Sequence, residues 1–292
     1  MRALILGASG LVGHSLWREW KALPGWELFG TTLTHPLPGM EKLDIRDWGA
    51  LKEAVSRARP DLLVLAAASP NVDFCETNPV ETREVNVHAS LRAADLAAKA
   101  RARLVFFSSD YVFDGSKPPY PESAATNPLN EYGRQKLDAE RGIAQAGSRH
   151  LILRISGVFG WEAARKNFVL QVLDRFASGQ EVRAQTDIIC RPTYAPNLAP
   201  VIAGLVEEGG EGVYHAVGAD ELSRYDLAVE AARVFGLDPK RVQPALAGDI
   251  PRPARRPPRA SLTSERLPPE LAERLWGARR ALREMRKAAQ PG

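Results

Sequence analysis

Three glycines spaced three residues apart, Gly7, Gly10 and Gly13, follow directly on the short apolar run Ala3-Leu4-Ile5-Leu6. That arrangement predicts a strand, a tight turn and a helix running through Trp20. Glycine at 7 and 10 lets the backbone turn sharply and come close to a ligand. Glycine at 13 lets helix and strand pack together. The helix N-terminus offers free N–H groups and partial positive charge to a pyrophosphate. Gly7, Ser9, Gly10, Leu11, Val12 and Gly13 are therefore the candidate cradle for a dinucleotide, and a purely structural turn is the plainer alternative. Such spacing says little on its own, but directly after a first strand it is a strong signal.

The chain then alternates between apolar β-rich runs and helical patterns. Strands are expected at Trp26 to Thr32, Lys42 to Ile45, Leu62 to Ala68, Leu104 to Phe107 and His150 to Ile155. Between them lie a helix capped by Asp47, a long one from Pro79 through Arg101, and one carrying Tyr132. This alternation predicts an α/β fold: a doubly wound Rossmann parallel sheet over residues 1–157. A smaller C-terminal α/β substrate domain is expected over residues 158–292, with part of 188–213 joining the first unit. Within the second unit, a helix is expected at Asn167 to Ser178, a short strand at Glu181 to Ala184 and another at Gly212 to His215. A helix capped by Ser223 follows, and Pro269 to Ala289 reads as one amphipathic helix with Leu271, Leu275, Leu282 and Met285 on one side.

Several side chains fall where this fold binds a cofactor. Ala66, Ala67 and Ala68 are small enough for close approach. Asp44, beside Ile45 at the end of the third strand, is placed to meet an adenine, or else belongs to the turn opening the next helix. An NAD site usually carries an acid after the second strand. Here Thr31-Thr32-Leu33-Thr34-His35 has none, which favours NADPH, with NADH as the alternative. Asn86 either ties down a neighbouring loop or is an ordinary polar helix residue. Cys75 is a packing residue or a lining one.

Leu104-Val105-Phe106-Phe107 reads as a buried strand ending at Ser108-Ser109-Asp110. Tyr132 and Lys136, four residues apart, share one helix face that can look across the crevice at those hydroxyls. A neighbouring ammonium favours the phenolate, so Lys136 is expected to lower the pKa of Tyr132. Tyr132 could then exchange a proton with a substrate oxygen that Ser109 holds in place. Such a set suits carbonyl reduction or alcohol oxidation with a hydride carrier.

Composition narrows the partners. A net charge of +4 over 292 residues does not by itself argue for nucleic acid, and it suits an anionic small molecule equally well. The longest apolar run is far short of a membrane span. Two cysteines, Cys75 and Cys190, argue for a reducing compartment without a disulfide framework. With no secretory h-region after Met1-Arg2, the cytoplasm is expected. No metal-ligand cluster of standard spacing is present. Arg252, Arg255, Arg256 and Arg259 stand in a Pro-rich stretch; this is either a solvated face or a clamp for a diphosphate.

Together these motifs resemble the extended short-chain dehydrogenase/reductases and, among them, the dTDP-4-dehydrorhamnose reductase family. The resemblance is carried by GASGLVG at 7–13, NVDFCE at 71–76, VN at 85–86, FSSDYVFDG at 107–115, PLNEYGRQK at 128–136, RPTYA at 191–195 and PARRP at 253–257. It implies reduction of the C4 ketone of dTDP-4-dehydro-L-rhamnose by NADPH. The catalytic positions would be Ser109, Tyr132 and Lys136, the last two also touching the cofactor. Substrate would meet Ser109, Asp110, Val112, Tyr132, Arg191, Arg255 and Arg256. The chain departs from the family pattern in three places. Gly157 follows Arg154-Ile155-Ser156 where some members place Trp, Ala260-Ser261 stands where Asn-Ser is common, and Ser109 replaces the commoner Thr. The expected partner is a nucleotide-sugar, with neither nucleic acid nor membrane involved and a homodimer left open. Two rivals share the motifs: an NADP-binding regulatory protein similar to the methionine adenosyltransferase β subunit, and a nucleotide-sugar epimerase.

Overall fold

The computed structural model describes residues 1–289, so the last three residues of the expected second unit lie outside it. In chain order the strands of the first half are β1 (Arg2–Leu6), β2 (Glu27–Thr32), β3 (Met40–Lys42), β4 (Leu62–Leu65), β5 (Arg103–Ser109) and β6 (His150–Ile155). The second half adds β7 (Val182–Gln185), β8 (Ile189–Cys190), β9 (Gly212–His215), β10 (Leu222–Ser223) and β11 (Val242–Ala245). One seven-stranded sheet has the order β3-β2-β1-β4-β5-β6-β9, with every pair parallel. The order reverses between β1 and β4, which opens a crevice at their C-terminal ends, the place where such sheets bind ligands.

Both faces of this sheet are covered. Along β1, Ala3 and Ile5 enter one apolar cluster while Leu4 and Leu6 enter another. That is the two-sided burial of a central parallel strand. On the first face lie α1 (Leu11–Trp20) and residues of the later 198–207 helix; on the other lie α2 (Trp48–Ala58) and the helices that follow it. Those are α3 (Val72–Thr77), α4 (Pro79–Arg83), α5 (Ala89–Ala100) and α6 (Glu131–Gln145).

The remaining helices are α7 (Phe168–Ala177), α8 (Leu198–Glu207), α9 (Arg224–Phe235), α10 (Pro269–Ala272) and α11 (Ala278–Lys287). Around α7 and α9 gather two small sheets, the parallel pair β7–β11 and the antiparallel pair β8–β10. Chain order and packing do not coincide here. From the second half, α8, β9 and the leucines 267, 271 and 275 pack with the large sheet. Trp20 of α1 donates its indole N–H to the carbonyl of Ala199 at 3.0 Å, tying α1 to α8.

Four elements differ from the sequence expectation. The third strand is Met40–Lys42 rather than 42–45, because Asp44 turns the chain by accepting from the Arg46 N–H at 2.9 Å. The fourth strand stops at Leu65. Ala66 still donates to the Leu6 carbonyl, but β1 ends there, and past Leu65 the chain also leaves β5, which runs on to Ser109 beside β6. The long helix after Pro79 is interrupted by a π-helical turn at Glu84–His88. The last helix is two. The first part ends at Ala272 and the second starts after Gly277, whose extended backbone (ψ 157°) caps it; the Asp220 carboxylate accepts from the N–H of Ala278 at 2.7 Å and leaves no room for a Cβ at 277. Leu271 and Leu275 accordingly pack on the large sheet, while Leu282 and Met285 pack around α9.

Candidate active site

The glycine turn forms as its spacing requires. Gly7 sits at φ +83°, and a Cβ there would meet the Ala67 backbone N at 2.6 Å. A Cβ on Gly13 would stand 2.2 Å from the Gly7 carbonyl oxygen. Gly10 is exposed and open, and it caps α1 without any side-chain hydrogen bond. The first turn of α1 carries no acid, so its N–H groups face the crevice unopposed. These residues fit the diphosphate of a dinucleotide: the cradle contains no side chain to displace and the helix end supplies donors. Ser9 donates to the Thr32 hydroxyl at 2.6 Å, and Thr32 donates onward to the His35 carbonyl at 2.9 Å. The end of β2 is thus occupied by hydroxyls, with no carboxylate to meet a ribose. Leu11 and Val12 are half-buried on the first turn of α1, and Ala66, Ala67 and Ala68 are half-buried at the end of β4.

Asp44 is engaged elsewhere. It holds the Arg46 guanidinium with contacts of 2.6 and 3.0 Å, and this holds its carboxyl below the usual range. Ile45 is buried in the core beneath α2.

Asn86 lies in the π-helical turn and reaches back to the loop after β4. Its side-chain oxygen accepts from the Ser69 N–H at 2.8 Å, and its amide donates to the Ser69 carbonyl at 3.1 Å and to Gln135 of α6 at 2.8 Å. One buried amide therefore ties the crevice loop to the helix bearing Tyr132. Single-turn π-bulges recur at functional sites. Cys75 is fully buried against the same amide.

Ser109 ends β5, with its hydroxyl donating to Asp110 Oδ1 at 2.9 Å and accepting from the Tyr111 N–H at 3.2 Å. Ser156, after β6, donates to Asp110 Oδ2 at 2.5 Å. Burial pushes the Asp110 carboxyl up to about 6, and the two serine hydroxyls hold it from going higher. Tyr132 is on the first turn of α6, which Asn130 caps by accepting from the Gly133 N–H at 2.9 Å. Lys136 donates to the Phe107 carbonyl at 2.9 Å and lies 5.8 Å from the centre of the Tyr132 ring. Ser109, Tyr132 and Lys136 thus meet at one end of β5.

The electrostatics correct one expectation. Tyr132 is not drawn toward the phenolate. Burial pushes its hydroxyl well above the ordinary tyrosine value, and the Asp110 carboxylate adds to that. Burial likewise pulls Lys136 down to about 8. The site therefore holds a protonated phenol beside a weakened ammonium.

The expected substrate residues are only partly assembled. The Val112 side chain is fully buried with Phe113, Tyr120, Leu137 and Leu262, so it is not available to a ligand; it fell next to the site in sequence and turns away in space. Arg256 grips Asp73 of α3 with two bonds, of 2.6 and 2.9 Å, so its fork is taken. Arg255 is exposed, and its backbone carbonyl accepts from Asn130 at 2.7 Å. Arg191 donates to the Ala219 carbonyl at 2.8 Å and does not line the cavity that Arg255 and Arg256 share. Gly157 has φ +49°, and a Cβ there would lie 3.0 Å from Cys190 Sγ, so Cys190 fills the space a larger residue at 157 would need. Sequence reasoning missed Asp73, Ser156 and Arg224. Asp73 and Ser156 lie in quoted segments, but nothing local marked their partners 183 and 46 residues away.

Comparison with known proteins places this geometry. A family model described as RmlD substrate binding domain matches residues 1–290. A probable dTDP-4,6-dihydroxy-2-methyloxan-3-one 4-ketoreductase from Streptomyces antibioticus is 34% identical over 91% of this chain and 88% of its own length. Methionine adenosyltransferase 2 subunit beta from Xenopus laevis is 32% identical over 86% of this chain and 78% of its own. A crystal structure of a dTDP-4-dehydrorhamnose reductase from Clostridium acetobutylicum covers the whole of both chains with a TM-score of 0.87 at 27% identity.

Proposed function

The chain belongs to the RmlD substrate binding domain family, and from that premise we propose that it is an NADPH-dependent reductase of a nucleotide-linked 4-keto sugar, with dTDP-4-dehydro-L-rhamnose as its substrate. The observation that carries the reading is the meeting of Ser109, a protonated Tyr132 and Lys136 at the C-terminal end of β5. The similarity to a dTDP-sugar ketoreductase and to a dTDP-4-dehydrorhamnose reductase structure supports it.

The turn from Gly7 to Gly13 and the alanines at 66–68 would hold the cofactor, which would supply the hydride when bound. The chain's residues manage the proton. A reductase needs its acid protonated at working pH, and burial keeps the Tyr132 phenol in that state. Tyr132 delivers the proton to the ketone oxygen, and the Ser109 hydroxyl orients that oxygen. Lys136, fixed by the Phe107 carbonyl, stabilises the phenolate left behind. The hydroxyl-lined end of β2 supports NADPH over NADH. Both cysteines are free thiols, which suits the reducing cytoplasm where we place the protein.

The test is NADPH oxidation on adding dTDP-4-dehydro-L-rhamnose. Tyr132→Phe should lower turnover by about 10³-fold while NADPH affinity stays within about twofold. Full activity in the variant would exclude Tyr132 as the acid. A second reading, a non-catalytic subunit, draws on the 32% identity to methionine adenosyltransferase 2 subunit beta. It requires that the protein bind NADPH yet turn over no nucleotide-sugar ketone.

A further inference from the structure

A cavity of about 330 Å³ lies between the small sheets and the loop after β11, lined by Gln185, Ile188, Arg224, Arg252, Arg255 and Arg256 among others. Among the described residues no carboxylate lines it. Four guanidinium groups around one concave space, with no acid on its wall, make an anion site by simple charge balance. The four are not equivalent. Arg256 is locked in a two-bond pair with Asp73, and Arg252 approaches the same carboxylate at 3.4 Å. Among the described residues the Arg224 guanidinium contacts the Phe168 ring and Arg224 and Arg255 hydrogen-bond through their backbones alone.

Arg224 is also the better placed of the two. It is the first residue of α9, behind a reciprocal cap in which Ser223 and Asp226 bond each other's backbone N–H groups. Its own N–H donates to the Ile188 carbonyl at 3.1 Å. Its guanidinium lies 5.0 Å over the ring of Phe168, which fixes the plane and leaves the N–H edge free. Arg255 faces the cavity from a loop held by Asn130 and by the Arg256–Asp73 pair.

We propose that the substrate's diphosphate is gripped by Arg224 and Arg255, while Arg256 anchors the loop through Asp73 and does not itself hold the ligand. This rests on the nucleotide-sugar reading above and assigns a ligand contact to a residue that no sequence motif marks. The grip joins an element of the small sheets to a loop tied to α3 and α6, so a bound diphosphate bridges the two sides of the crevice.

Calorimetric titration with dTDP, inorganic pyrophosphate and thymidine tests it. Arg224→Ala and Arg255→Ala should each weaken dTDP and pyrophosphate by about 30-fold, the effect of losing a charge-assisted pair. Thymidine and NADPH affinities should not change. Arg224→Met keeps the stem over Phe168 and should behave like the alanine variant, which covers the case in which the latter folds poorly. Unchanged dTDP affinity in Arg224→Met overturns the proposal, and so does a parent protein that binds neither dTDP nor pyrophosphate. Arg224-dependent pyrophosphate binding without turnover of dTDP-4-dehydro-L-rhamnose upholds the grip and removes only the sugar assignment.

Discussion

Lys136 donates its ammonium hydrogen to the backbone carbonyl of Phe107 at 2.9 Å, locking the helix that carries Tyr132 to the strand that carries Ser109. The bond holds a charge in a place that disfavours it, and burial brings the Lys136 pKa down to about 8. Because Tyr132 is shifted the other way, the alkaline limb of activity belongs to Lys136. We expect kcat/KM to fall as one proton is lost near pH 8, with no phenolate absorbance appearing from Tyr132 in that range. Stability moves in the opposite sense. Below about pH 8 native and unfolded chains both carry this proton, and the burial penalty is constant at about 3 kcal/mol. Between about 8 and 10.5 only the unfolded chain holds it, so this contribution makes the native state more stable as pH rises. Lys136→Met should therefore be more stable than the parent at pH 7 and lose that advantage by pH 10, read from urea denaturation at both values.

The acid limb has a different owner. Asp110 titrates near 6, and its ionised form accepts from both Ser109 and Ser156. Protonation removes the acceptor that orients the Ser109 hydroxyl, so kcat/KM should decline below about pH 6. Ser156→Ala removes a hydrogen bond that favours the carboxylate, so the limb should move to higher pH. Asp110→Asn should remove it. A pH–rate profile of the three proteins decides, and an unmoved limb in Ser156→Ala would assign it to another group.

Legibility in the sequence followed the range of the forces involved. Strands β1, β5, β6 and β9 and the caps at Asp47 and Ser223 were readable because strand burial and capping are local. Ser109, Tyr132 and Lys136 converge as expected, since strand end and helix face fix them. What escaped depends on distant partners: Arg256 finds Asp73, and Ser156 finds Asp110. The Tyr132 pKa was misread for the same reason. Sequence spacing brings Lys136 near, but burial, which spacing does not reveal, outweighs its charge.

The cradle glycines separate folding from binding. A methyl on Gly13 would sit 2.2 Å from the Gly7 carbonyl oxygen, and neither backbone can yield without parting α1 from β1. Gly13→Ala should therefore cost about 3 kcal/mol and lower Tm by roughly 6 °C. Gly10 has φ −75° and meets only the Gly7 carbonyl oxygen, at 3.4 Å. Gly10→Ala should leave Tm unchanged, yet its methyl would project where a phosphate approaches the uncapped helix end, weakening NADPH by about tenfold or more. Thermal melts with cofactor titration measure both, and a stable Gly13→Ala or a fully binding Gly10→Ala would contradict the packing argument.

Asn86 supplies the last test, because it joins three elements with one side chain. Its replacement by alanine orphans the N–H of Ser69 and the amide oxygen of Gln135 and leaves the Ser69 carbonyl with only the Cys75 thiol, all beneath the crevice. Unmet buried polar groups are more damaging than the lost bonds themselves, so about 3 kcal/mol of stability should go. The loss should be uneven. The large sheet packs without Asn86, whereas the loop after β4 is held to α6 through it. Hydrogen exchange should therefore quicken at Ser69 and in the first turns of α6 well before it does in β5. NADPH affinity should fall too, since Ala66, Ala67 and Ala68 stand at the near end of the freed loop. Asn86→Asp offers the sharper contrast. It keeps the acceptor for the Ser69 N–H but sets a carboxylate against the Gln135 oxygen and the Ser69 carbonyl, and it should destabilise as much as alanine does. If either variant exchanged uniformly across the sheet, Asn86 would be an ordinary core contributor and not the tie between crevice loop and catalytic helix.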